Sequence, residues 1–123
     1  MKTFSIFLSF LFLMGCGNNE TKESTGTPAT EDTLAPDAAK GMKLVAKSDC
    51  VSCHKESEAF VGPSYSSIAA KYKTLDQPAM DSMVTQIIDG GSGRWGTVPM
   101  APHKNMPKEE AQLMVHYIMS LKN

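Results

Sequence analysis

The chain has 123 residues, of which 41% are hydrophobic, a formal net charge of -1 and three cysteines. That length suits one domain with appendages rather than two separate cores. The near-balanced charge excludes the strong positive field that a nucleic-acid partner requires.

Met1-Lys2 places a positive charge ahead of an almost unbroken apolar run from Phe4 to Met14. Such a run is the core of a signal peptide and is too short to span a bilayer comfortably. It ends in Leu13-Met14-Gly15-Cys16, which resembles the lipobox of bacterial lipoproteins. The resemblance implies that residues 1–15 are a lipoprotein signal peptide and that Cys16 carries a diacylglycerol thioether, with room for a further acyl chain on the freed amine. Two or three acyl chains anchor stably where one is marginal. The competing reading is an ordinary secretory signal with an incidental cysteine. Either way the protein is expected to be exported.

Gly17 to about Ala35 is rich in Gly, Asn, Thr, Ser, Glu, Lys and Pro and almost free of large apolar residues. It has nothing to bury, so residues 16–36 read as a flexible tether. Random-coil scaling gives about 25 Å for a linker of about twenty residues.

Residues 37–123 carry the helical patterns. Asp37 is expected to cap a helix that reaches Lys47, with Met42, Leu44 and Val45 on its buried side. Next comes Cys50-Val51-Ser52-Cys53-His54, the C-x-x-C-H pattern of c-type haem attachment. Two thiols at this spacing each add to one vinyl group of a haem, and the adjoining histidine is carried beneath the iron as an axial ligand. A zinc site would need a second ligand pair, and the third cysteine is the distant Cys16. A redox dithiol usually sits in a βαβ context, and no strand pattern flanks this motif.

A short helix is expected after Pro63, with Tyr65, Ile68, Ala69 and Tyr72 on one side. Another runs from about Ala79 to Asp89, where Met80, Met83, Val84, Ile87 and Ile88 form a single stripe ended by Gly90-Gly91. The last runs from Pro107 to about Leu121, with Glu109 and Glu110 at its positive end and Leu113, Met114, Tyr117, Ile118 and Leu121 facing inward. No segment alternates long enough to predict a strand. The fold class is therefore all-α, about four short helices around one covalent haem c, which enlarges a core too small by itself.

Nine methionines are many for this length. Met80, Met83 and Met114 fall on helix stripes and read as core. Met100 and Met106 both lie in loops and compete as a thioether ligand to iron; His103 and His116 are the nitrogen alternatives.

Beyond the haem motif, Val61-Gly62-Pro63-Ser64-Tyr65, Ile68-Ala69-Ala70-Lys71-Tyr72 and the stretch from Asp89 through Trp95-Gly96-Thr97-Val98-Pro99-Met100 resemble the small bacterial monohaem class I cytochromes c. They resemble especially the short type that donates electrons to nitrite reductases and terminal oxidases. The resemblance implies that Cys50 and Cys53 attach the haem and that His54 and Met100 are the axial ligands, because Pro99-Met100 matches the family's ligand loop. It implies that the Pro63 carbonyl orients His54 and that Trp95 donates to a haem propionate. Arg94 stands where a small apolar residue is commoner; it is read as a propionate partner, with a solvent-facing role as the alternative. The first and last helices are expected to cross where Gly41 meets Tyr117.

The implied function is single-electron transfer through a low-spin His/Met haem, without enzymatic activity. The alternatives are a haem subunit of a membrane respiratory complex, and a gas sensor or peroxidase with a labile methionine. Transient redox donors and acceptors are the expected partners, docking near the exposed haem edge. Lys47, Lys55, Lys71 and Lys104 are candidate steering charges, or plain solvating ones. A monomer anchored by lipid on the periplasmic side of a bacterial membrane is expected.

Overall fold

The computed structural model describes residues 34–122. The expected signal peptide at 1–15, Cys16 and most of the linker at 16–36 lie outside the described residues.

Helix α1 spans Pro36–Lys47. Pro36 opens it because its fixed φ is already helical and its missing N–H would have had no intrahelical partner. The helix therefore begins one residue before the expected cap. Ala35 occupies the cap position without a side-chain bond. Asp37 lies in the first turn, 3.3 Å from the Lys40 ammonium, where its charge still faces the positive helix end. A 3-10 turn follows at Asp49–Ser52.

Helix α2 covers Tyr65–Tyr72, capped by Ser64, whose fully buried hydroxyl accepts from Ser67 N at 3.1 Å. Helix α3 covers Gln77–Asp89, two residues longer at its start than the apolar stripe suggests. The extension comes from Asp76, which accepts from Ala79 N at 2.9 Å, with Pro78 tolerated in the first turn. Helix α4 covers Lys108–Ser120, with Pro107 just ahead of it. The described residues contain no strand, only one antiparallel bridge between Gly91 and Met100.

Helix α4 is the hub. It packs on α1, α3 and α2, and its largest contact is with α1. A helix touched on three sides buries a broad face, which explains why Ala111 and Val115 are fully buried although the sequence stripe omits both. Met114, Tyr117, Ile118 and Leu121 are buried as expected, while Leu113 is only half-buried. At Leu113 the backbone makes the contact: a β-carbon on Gly41 would stand 1.9 Å from its carbonyl oxygen and 3.0 Å from Tyr117 Cβ. The crossing of α1 and α4 at Gly41 is thus present, and it is backbone against backbone. On α3, Met80, Met83, Val84 and Ile87 are buried and Ile88 is half-buried against the same core.

Candidate functional site

The turn at Asp49–Ser52 is closed by one carbonyl. Cys50 O accepts from Cys53 N at 3.1 Å and from His54 N at 2.9 Å. Winding five residues this tightly turns Cys50, Cys53 and His54 toward one space. Both thiols are half-buried and unbonded to each other.

The chain then doubles back from residue 55 to α2. Gly62 N donates to Cys53 O at 2.9 Å and Tyr65 N to Lys55 O at 2.9 Å. This return brings the Pro63 carbonyl to 2.7 Å from His54 Nδ1. A carbonyl can only accept, so Nδ1 carries the proton and Nε2 keeps its lone pair. Tyr65 stacks on the same imidazole, with ring centroids 5.7 Å apart.

Gly62 is a part of the site that sequence reasoning left without a role, although it stands inside the quoted Val61-Gly62-Pro63 run. A β-carbon there would lie 2.5 Å from His54 Cε1 and 2.9 Å from Nδ1. Gly62→Ala is therefore expected to tilt the imidazole, weaken its bond to Pro63 and shift the reduction potential. Potentiometry of the variant beside wild type checks this, and an unchanged potential would count against the close packing of ring and loop.

Helix α3 ends at Gly90, whose φ of 68° lies in the left-handed region. A β-carbon there would meet Met100 O at 2.5 Å, so glycine is needed for both turn and crossing. Just beyond, Gly91 and Met100 exchange backbone bonds of 3.0 and 2.9 Å. This pair fixes the Met100 backbone while its side chain faces the space already lined by His54.

That space is a cavity of about 580 Å³, within the usual range for small-molecule and cofactor sites. Val45, Ile68, Met83, Ile87, Met114 and Ile118 give it an apolar wall, and Cys50, Cys53, His54 and Met100 line it together. Met106 is absent from the lining and packs instead against the core cluster. His116 lies in a separate small groove with Leu75 and Asp76. His103 lines the cavity, but both its ring nitrogens are engaged, Nδ1 with Ile87 O at 3.1 Å and Nε2 with Asp49 at 2.9 Å. Neither ring nitrogen is left unengaged to face a metal.

The buried Tyr65 hydroxyl on the cavity wall has no partner among the described residues. Burial pushes the Tyr65 phenol well above its ordinary value, and burial followed by the charge of Glu56 raises Tyr117. Both phenols stay neutral at physiological pH.

At the mouth, Trp95 is 42% exposed, and the Lys71 ammonium lies 4.2 Å from its ring centroid. Lys71 also donates to Arg94 O at 2.6 Å. The Arg94 guanidinium donates to Ser82 O at 3.1 Å, to the Ser82 hydroxyl and to Tyr72 at 3.4 Å. Here Arg94 ties the loop to α2 and α3 and also lines the cavity. Of the steering lysines, Lys104 is paired with Asp89 at 2.7 Å and Lys55 sits over Phe60, which weakens the field either projects. Phe60, Val61, Trp95 and Val98 are exposed apolar residues on the rim.

The family model for cytochrome c matches residues 38–122. The chain belongs to the cytochrome c family. It is 40% identical over 92 residues to cytochrome c-551 of Allochromatium vinosum, a match that covers 75% of this chain and 97% of that protein. Cytochrome c-552 of Nitrosomonas europaea is 37% identical over 79 residues, covering 64% of this chain and 76% of that protein. The crystal structure of the wild-type Nitrosomonas protein superposes with a TM-score of 0.61 at 36% identity, covering 66% of this chain and 99% of the other. A Class 1 cytochrome from Sideroxydans lithotrophicus, 22% identical, shares the fold with a TM-score of 0.59 over 72% of this chain and all of that one.

As a small class I cytochrome c, the protein holds one haem c covalently and carries single electrons; it is an electron carrier and not an enzyme. Its partners are redox proteins. The residues present fit that group: two thiols at the attachment spacing, a free imidazole nitrogen and a thioether share one apolar cavity.

Proposed function

We propose that Cys50 and Cys53 form the thioether bonds, that His54 Nε2 is the proximal ligand, and that Met100 sulfur is the distal one. The observation that carries this reading is that all four side chains line the same cavity, while Met106 and His116 do not. The haem supplies a one-electron ferrous/ferric couple. The chain supplies the rest. Pro63 O holds the His54 ring by its Nδ1–H and makes Nε2 a better donor. The soft Met100 thioether favours ferrous iron, and the apolar wall disfavours the extra charge of ferric iron. Both raise the potential. Trp95 and Arg94, which line the same cavity, donate to the propionates.

Partners dock over the exposed apolar rim, and the small area of such contacts keeps dissociation fast. We assign residues 37–123 to the haem domain, 16–36 to a tether and 1–15 to a cleaved signal. Cys16 carries lipid, and the monomer works on the periplasmic side of the membrane. None of the described helices is long and apolar enough to cross a bilayer.

Two measurements test this reading. Spectra of the exported protein in both redox states are expected to show low-spin iron, with a methionine-to-iron charge-transfer band in the ferric form. High-spin ferric iron would sink the His/Met assignment. Cys16→Ala is expected to move the protein from the detergent phase to the aqueous phase in a partition assay. Equal partitioning of variant and wild type would refute the lipid anchor.

A further inference from the structure

The His103 side chain joins two segments that both serve the haem cavity. Its backbone N donates to Ile87 O and Ile88 O, at 3.2 and 3.1 Å, so residue 103 is already held at the end of α3. Its ring then reaches across to the turn that precedes Cys50. Nδ1 lies 3.1 Å from Ile87 O, and Nε2 lies 2.9 Å from a carboxylate oxygen of Asp49. Both partners are acceptors. A neutral imidazole has one N–H and one lone pair, so it can satisfy only one of them. For both contacts to be hydrogen bonds, both ring nitrogens must carry protons.

Resting on the reading of Met100 as the sixth ligand, we propose that His103 is a positioning residue for that ligand. As an imidazolium it clasps the loop carrying Met100 to the turn carrying Cys50. Met100 then lies between two anchors, the Gly91 backbone pair on one side and the His103 clasp on the other. The clasp links segments 54 residues apart in sequence, so it closes a long loop around the cavity.

The surrounding charges agree. From the turn, Asp49 and Cys50 face the ring, their ligand atoms within 4.8 Å of those of His103. Cys50 has no proton to exchange once it is a thioether. At the end of α3, Asp89 is paired with Lys104, the residue next to His103 in the loop, at 2.7 Å. Asp49 is thus the acid that answers the imidazolium. The hydrogen bond from His103, then its positive charge, hold the Asp49 carboxyl below the usual carboxylate range. A lowered carboxyl contributes above its ordinary value and loses that contribution as pH falls through the folded one.

The test uses the full-length holoprotein and the variant Asp49→Ala, whose substituted side chain is 73% exposed and leaves the core intact. In the ferrous wild type, ¹⁵N NMR is expected to show both His103 ring nitrogens protonated, and in Asp49→Ala only one. In the ferric form, added imidazole displaces the methionine at a rate that reports loop opening. The ratio of the variant's rate to that of wild type cancels the titration of imidazole itself. It is expected to be about fivefold, the effect of one partly exposed charged bond. A ratio of one would overturn the proposal, as would a wild-type ring with a single proton. Absence of the methionine-to-iron band in wild type would overturn the ligand reading and this proposal with it, while the ring-nitrogen result would still show whether the clasp exists.

Discussion

Met100→Ala is expected to convert the ferric protein from low-spin to high-spin, abolish the methionine-to-iron band and lower the reduction potential by a few tenths of a volt. That fall is a large share of the roughly 0.8 V that axial ligands span. The backbone of residue 100 is held by its two bonds to Gly91, so the loop keeps its path and only the thioether is lost. The ferrous state loses a soft donor, and an open coordination position admits water, which favours ferric iron. Met106→Ala is the matched control. Its side chain packs on the core away from the cavity, so the spectrum should remain that of wild type while stability falls by about 1–2 kcal/mol, less than a fully buried methionine costs. If Met106→Ala abolished the band and Met100→Ala did not, the ligand assignment would be reversed.

The second large effect is one of stability. Gly41→Ala is expected to lower the melting temperature of the holoprotein by about 8–16 °C, seen by circular dichroism. The added carbon would stand 1.9 Å from Leu113 O and 2.6 Å from its carbonyl carbon. Both are backbone atoms of α4, so no side chain can swing away and the helices must separate. Overpacking of this kind costs about 1–3 kcal/mol and occasionally more. In an exposed helix, alanine would gain up to about 1 kcal/mol over glycine. The steric term wins here because α1 and α4 form the largest helix contact of the fold. A net loss of about 2 kcal/mol corresponds to the expected fall for a domain of this size. A melting temperature equal to or above that of wild type would show that the two helices are not held this close in solution.

The haem motif was legible for a chemical reason. Covalent attachment demands two thiols at one spacing with a histidine beside them, and no helix or loop preference imitates that pattern. The short helices were legible from their apolar stripes on α2 and α3, and from Pro and Gly at their ends. Cap residues were less so: Asp76 extends α3, and Pro36 displaces Asp37 from the cap of α1. Either neighbour could have begun these helices on local preference alone.

What the sequence determined by itself, then, was the cofactor, the helical class and the pair of axial candidates, because each rests on residue type at short range. Tertiary structure alone decided which face of α4 is broadest, why residues 41 and 62 tolerate no side chain, where Arg94 points, and that His103 bridges Ile87 to Asp49. Those features depend on atoms brought together from distant parts of the chain. Their distances follow from how three helices and a cofactor pocket pack against α4, and spacing along the sequence carries no record of them.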